Sequence, residues 1–142
     1  MDDNGNPFIV TDVGGRVDSV FRYSIPVGGA VRFQTDGFPA ITNTGWARLI
    51  PDAGTSTPVG AGVFGYNPGE FLVTESGIPA ALSTTHARVY ADLSGSHNTG
   101  LTIANPNSTL ASISILAYQS DGVTGVGSSQ GPFPIPANGH TA

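Results

Sequence analysis

A chain of 142 residues without cysteine has room to bury roughly 68–70% of its unfolded surface, but it can hold no disulfide, thiolate–metal site or thiol nucleophile. Its cations are Arg16, Arg22, Arg32, Arg48 and Arg88, and the absence of lysine excludes Schiff-base chemistry, a Walker-type phosphate loop and Lys–Asn isopeptide staples. A formal charge of −5 with the arginines scattered singly excludes nucleic acid as a partner, because phosphate neutralisation needs clustered cations.

Hydrophobic alternation with a period of two recurs along the chain and helical periodicity does not. The first extended run is Phe8–Val13, ended by Gly14-Gly15. Phe8, Ile9 and Val10 lie in it with no lysine to guard an edge, so residues 1–13 are read as an N-terminal pairing strand or a loose tail. Next, "RVDSVFRYSIP" puts Val17, Ser19, Phe21, Tyr23 and Ile25 on one face, and "AVRFQTDG" puts Val31 and Phe33 against Arg32 and Gln34 before an Asp-Gly turn. Strands are then expected at Gly45–Ile50, Val59–Tyr66 and Phe71–Glu75, with a short helical turn at Pro79–Ser83. "HARVYADLSG" alternates Ala87, Val89, Ala91 and Leu93 inward with His86, Arg88, Tyr90 and Asp92 outward.

The last third contributes Gly100–Ala104, Leu110–Gln119 and Pro132–Ala137. Leu101 and Ile103 on one arm, with Ile113, Ile115 and Ala117 on the other, read as the inner face of a hairpin across Asn105-Pro106-Asn107; Pro106 suits the connection because it lacks a ladder N–H. About nine or ten short strands between turn signals point to an all-β chain, an antiparallel β-sandwich of Ig-like or jelly-roll-like kind. Phe21, Phe33, Val89, Ile103 and Ile115 are its expected core. No linker divides the chain, so residues 1–142 are expected to form a single domain.

Several motifs match a pattern without its context. "GAGVFG", Gly60 to Gly65, satisfies G-x-G-x-x-G, but it runs into a turn and another strand rather than a helix that could receive a pyrophosphate. "GSSQG" places Ser129 in G-x-S-x-G, yet the prolines that follow forbid the helix a nucleophile elbow needs, and nothing ties His86, His97 or His140 to it. "DDNGN" offers oxygens from Asp2, Asp3, Asn4 and Asn6, but lacks the Gly and Glu positions of a calcium loop. His86 and His97 have no third zinc ligand in register. No catalytic residue, metal site or cofactor is therefore expected. Trp46, Arg88 and Tyr90 are the candidate surface contacts, since exposed aromatics stack on sugars; a lone Trp on a strand is more often a core plug.

No apolar run is long enough to span a membrane. The start "MDDNGNPF" lacks the basic and apolar regions of a signal peptide, so an exported protein would be represented here by a mature or excised form with an added Met. Charged residues are only 11%, and the polar remainder is mostly hydroxyl and amide, a composition common on secreted β-proteins.

The set "FRYSIPVGGAVRFQTDG", "TGWARLI", "GVFGY", "ESGIPA" and "TGLTIANP…ISILAYQSDG…GPFPIPANGHTA" resembles uncharacterised β-sandwich modules, often in tandem, of large secreted or surface proteins of environmental bacteria. The resemblance covers Phe21 to Ala142 and rests on turn and strand motifs. It implies a non-enzymatic, extracellular or cell-surface role, structural or adhesive, with other modules or copies of the chain as partners. In such proteins the run after "GHTA" continues into a further strand, so the final strand is expected to be incomplete or supplied otherwise. The alternative is a self-assembling filament subunit joined by β-strand addition; a polysaccharide-binding module comes third and a hydrolase fourth.

Overall fold

In the computed structural model the described residues are 1–38, 42–67, 71–127 and 130–142, the Gln130 side chain excepted. All regular structure among them is β: eight strands paired two by two into antiparallel ladders. The backbone forms two compact units, Met1–Ala47 with Thr99–Ala142, and Arg48–Asn98.

In the first unit, β1 (Val10–Thr11) and β2 (Val17–Asp18) form a hairpin closed at Gly14-Gly15. Asp12 makes that turn: its Oδ1 accepts from the N–H groups of Gly14 and Arg16, both at 2.9 Å, an Asx arrangement that replaces ladder bonds. The Arg16 guanidinium bonds Asp12 at 3.3 Å and lies 4.5 Å from the Phe21 ring centre. Phe21, Tyr23 and Phe33 then cluster, with ring centres 4.5 Å (Phe21–Phe33) and 6.1 Å (Tyr23–Phe33) apart. The strand expected through Phe33 shrinks to a bridge between Asp12 and Thr35.

β5 (Ile103–Ala104) pairs with β8 (His140–Thr141), and β6 (Ala111–Ile115) pairs with β7 (Gln130–Ile135). The hairpin expected between the arms around Asn105-Pro106-Asn107 therefore does not form. The reason is Asn105, only 3% exposed. Its side chain takes over the connection, so each arm leaves with a different partner.

Between Ile113 and Ile115 the β6–β7 register slips by a bulge. Gly131 sits opposite with φ of +111°, and a Cβ there would stand 2.6 Å from the Ile113 carbonyl oxygen. Gly131→Ala meets both an unfavourable backbone region and a clash. We expect it to cost about 1–3 kcal/mol in denaturant melts; an unchanged midpoint would show that the bulge relaxes.

The second unit contains β3 (Ala61–Tyr66) and β4 (Thr74–Pro79), paired in register from Ala61↔Pro79 to Tyr66↔Thr74. "GAGVFG" is thus strand. β4 begins three residues later than the expected Phe71–Glu75 run and extends through Pro79, where a helical turn had been expected. The runs Gly45–Ile50 and His86–Gly95 take no strand conformation.

Burial departs furthest from expectation. Among the described residues Ile135, at 1% exposure, is the buried hydrophobic side chain. Of the expected core, Phe21 and Ile103 are half-buried, while Phe33, Val89 and Ile115 are exposed to 40%, 63% and 39%. Alternation does generate apolar faces, but a two-stranded ladder has no second layer to bury them.

Candidate interaction site

The ladders β5–β8 and β6–β7 turn apolar faces toward an open groove of about 310 Å³. Leu101 and Ile103 come from one wall, Ile113, Ile115, Phe133 and Ile135 from the other, with Pro134, Thr141 and Ala142 completing the lining. Period-two alternation accounts for Leu101 with Ile103, Ile113 with Ile115, and Phe133 with Ile135, each pair facing one way while Thr102, Ser112 and His140 do not line the groove; Pro134 and Ala142 fall outside that pattern. No lining side chain is charged. The groove can bind by burial of apolar surface.

Behind the β5–β8 wall the N-terminal segment is clamped. The Met1 ammonium donates to the Trp46 carbonyl oxygen at 3.0 Å, and the Trp46 N–H returns a bond to Met1 at 3.0 Å. The Trp46 indole N–H donates to the Asn138 carbonyl oxygen at 2.9 Å. Trp46, one of the candidate surface contacts, is half-buried and spends its indole N–H on the C-terminal turn.

Asp3, His140 and Thr102 form a chain in that clamp: Asp3 Oδ1 lies 2.8 Å from His140 Nδ1, and Thr102 Oγ1 lies 2.6 Å from His140 Nε2. The order carboxylate, imidazole, hydroxyl is the one that activates a nucleophile. Here, however, the His140 side chain is 8% exposed and the groove lies on the opposite face of its strand. Both ring nitrogens are spent on joining the N-terminal loop to β5 and β8. Sequence reasoning could not find this link, because its members are separated by 38 and 137 positions.

Asp2 shapes the loop that presents Asp3. Its Oδ1 accepts from the N–H groups of Asn4 at 2.9 Å and Asn6 at 2.7 Å, and its Oδ2 from the Asn6 side-chain amide. Within "DDNGN" the Asp2 carboxylate is thus engaged with its own loop, while that of Asp3 reaches Thr44 and His140. The Asn6 side-chain bond, followed by backbone bonds, holds the Asp2 carboxyl below the usual aspartate range. A carboxyl lowered in the folded state stabilises the fold above its unfolded pKa, and the contribution is lost as pH falls through the folded value. Accordingly, the Asn4 and Asn6 amide resonances should shift together on acidification with a midpoint below that range. A midpoint at or above it would show that the loop bonds are absent in solution.

In the other unit Arg88 and Tyr90 lie on irregular backbone, Tyr90 with 87% exposure. His97 Nδ1 lies 3.4 Å from Asp92 Oδ2, and the His86 carbonyl oxygen accepts from Thr84. Of the N-terminal pairing residues, Val10 is in β1 opposite Asp18, while Phe8 and Ile9 precede the ladder. Ser129 lies outside the described residues. Among the described residues no group of three or more acidic, histidine or cysteine side chains is arranged to hold a metal, and no helix is long and apolar enough to cross a membrane. Comparisons with protein-family models, curated proteins and solved structures find no match to this chain.

Proposed function

We propose that the chain is a non-enzymatic structural or adhesive module of β-sandwich type, working outside the cell by covering its apolar faces with other modules or with copies of itself. The observation that carries this reading is the uncharged groove between two short ladders. An uncharged apolar wall recognises another apolar surface, and the outer edges of two-stranded ladders, which pair with no further strand among the described residues, recognise a strand. The shortage of charge, with 11% charged residues and no lysine, supports the same reading, because charged edge residues are the usual defence against association. A neutral hydroxyl- and amide-rich surface, together with the resemblance to secreted modules, supports the location.

Sedimentation velocity over a wide concentration range tests the proposal. The expected result is a mass above that of one chain that grows with concentration. A single chain mass at every concentration, with no binding of an apolar dye, would overturn it.

A further inference from the structure

We infer that Asn4 is a site of spontaneous backbone modification, and that the change releases the N-terminal clamp. The sequence holds two Asn-Gly pairs, Asn4-Gly5 and Asn138-Gly139. Glycine has no side chain to shield its own peptide nitrogen, so in such a pair that nitrogen can close on the side-chain carbonyl carbon of the asparagine. A C–N bond forms and gives a five-membered imide. The side-chain nitrogen leaves as ammonia, carrying the proton of the glycine N–H. Water then opens the ring, at one carbonyl to aspartate and at the other to isoaspartate, in which the main chain runs through the former side chain.

Ring closure turns the planar peptide unit between the two residues, so the bonds on that unit decide which pair reacts. Between Asn138 and Gly139 the unit is held twice. The Gly139 N–H donates locally to the Pro136 carbonyl oxygen at 3.0 Å, and the Asn138 carbonyl oxygen accepts from the Trp46 indole at 2.9 Å. Gly139 is buried, and its own carbonyl oxygen accepts from the Asn105 N–H at 2.9 Å. Between Asn4 and Gly5 the matching local bond, Gly5 N–H to the Asp2 carbonyl oxygen at 3.1 Å, has no such clasp from another segment among the described residues. Asn4 is exposed. A bond confined to an exposed loop near a chain end opens far more often than one tied across the fold.

The product does not fit the loop. Isoaspartate adds a main-chain carbon between residues 4 and 5, where Gly5 is packed so closely that a Cβ would collide with the Ala137 carbonyl oxygen. The bonds from the Asn6 N–H and side-chain amide to the Asp2 carboxylate span that same link, at 2.7 and 3.1 Å. With them goes the loop that presents Asp3 to His140 and Met1 to Trp46.

The test is to incubate the full chain at mildly alkaline pH and map it by mass spectrometry with fragmentation that separates isoaspartate from aspartate. Conversion of amide to acid, with isoaspartate in excess, should accumulate at Asn4 while Asn138 keeps its amide; in denaturant both should convert. Asn4→Gln should lose the change. Hydrogen exchange at the Trp46 N–H, which bonds the Met1 carbonyl oxygen at 3.0 Å, should be faster in the converted chain than in the fresh one, and unaltered in incubated Asn4→Gln. Equal conversion at Asn138 in the folded chain, or an amide retained at Asn4 under conditions that remove it in denaturant, overturns the site. A converted chain with unchanged exchange at Trp46 overturns the release.

Discussion

Asn105→Ala should be among the most destabilising single changes in this chain, at about 2–4 kcal/mol. The Asn105 amide nitrogen donates to the carbonyl oxygens of Thr109 at 2.8 Å, Pro136 at 2.9 Å and Ile135 at 3.2 Å. Its oxygen accepts from the backbone and side-chain N–H groups of Asn107, both at 3.1 Å. Alanine leaves these groups to find water at a position 3% exposed, and a buried polar group without a partner bears its full desolvation penalty. Asn105→Asp should be worse at neutral pH, because a carboxylate replaces the donors that face three carbonyl oxygens. Denaturant melts check the order. If Asn105→Ala melts with the unsubstituted chain, the side chain does not organise the connection.

Ile135→Ala should cost about 2–5 kcal/mol. At 1% exposure Ile135 is the fully buried large side chain among the described residues, and it sits in β7 opposite Ala111 in the groove wall. Removing three methyl or methylene carbons there loses their transfer free energy and leaves a cavity that the short β6–β7 ladder can only partly close. Val89→Ala is the matched comparison. Val89 is 63% exposed, so little burial is lost and the expected change is within about 0.5 kcal/mol. Equal losses at both positions would mean that Val89 is buried in solution.

The comparison of those two residues also shows how far the sequence could be read. Period-two alternation and the turn chemistry of Asp121-Gly122 were informative. Asp121 accepts from the N–H groups of Val123 and Thr124 at 2.9 and 2.8 Å and turns the chain so that Tyr118 bridges Gly125. Strand class, the β3 segment and the β6 and β7 segments followed from such local signals. The face of a strand follows from its alternation, but its burial depends on what is laid over that face. Val89 and Ile103 are both apolar members of alternating runs, and only Ile103 gains a ladder partner, through Thr141. The pairing of Ile103 with Thr141 rather than with the Ile113 arm could not be anticipated either. It depends on one buried amide and on a clamp that joins Asp3 to His140 across nearly the whole sequence. The Gly-rich stretch "GAGVFG" runs into β3, a strand and not the start of a helix.

Amide hydrogen exchange of the groove strands at low and high protein concentration tests the central claim most directly. If the groove is completed by another module or copy, protection at Ile103 and across Ala111–Ile115 should rise with concentration, while the Asp121 turn stays unchanged. Protection in the groove that is independent of concentration would contradict the account.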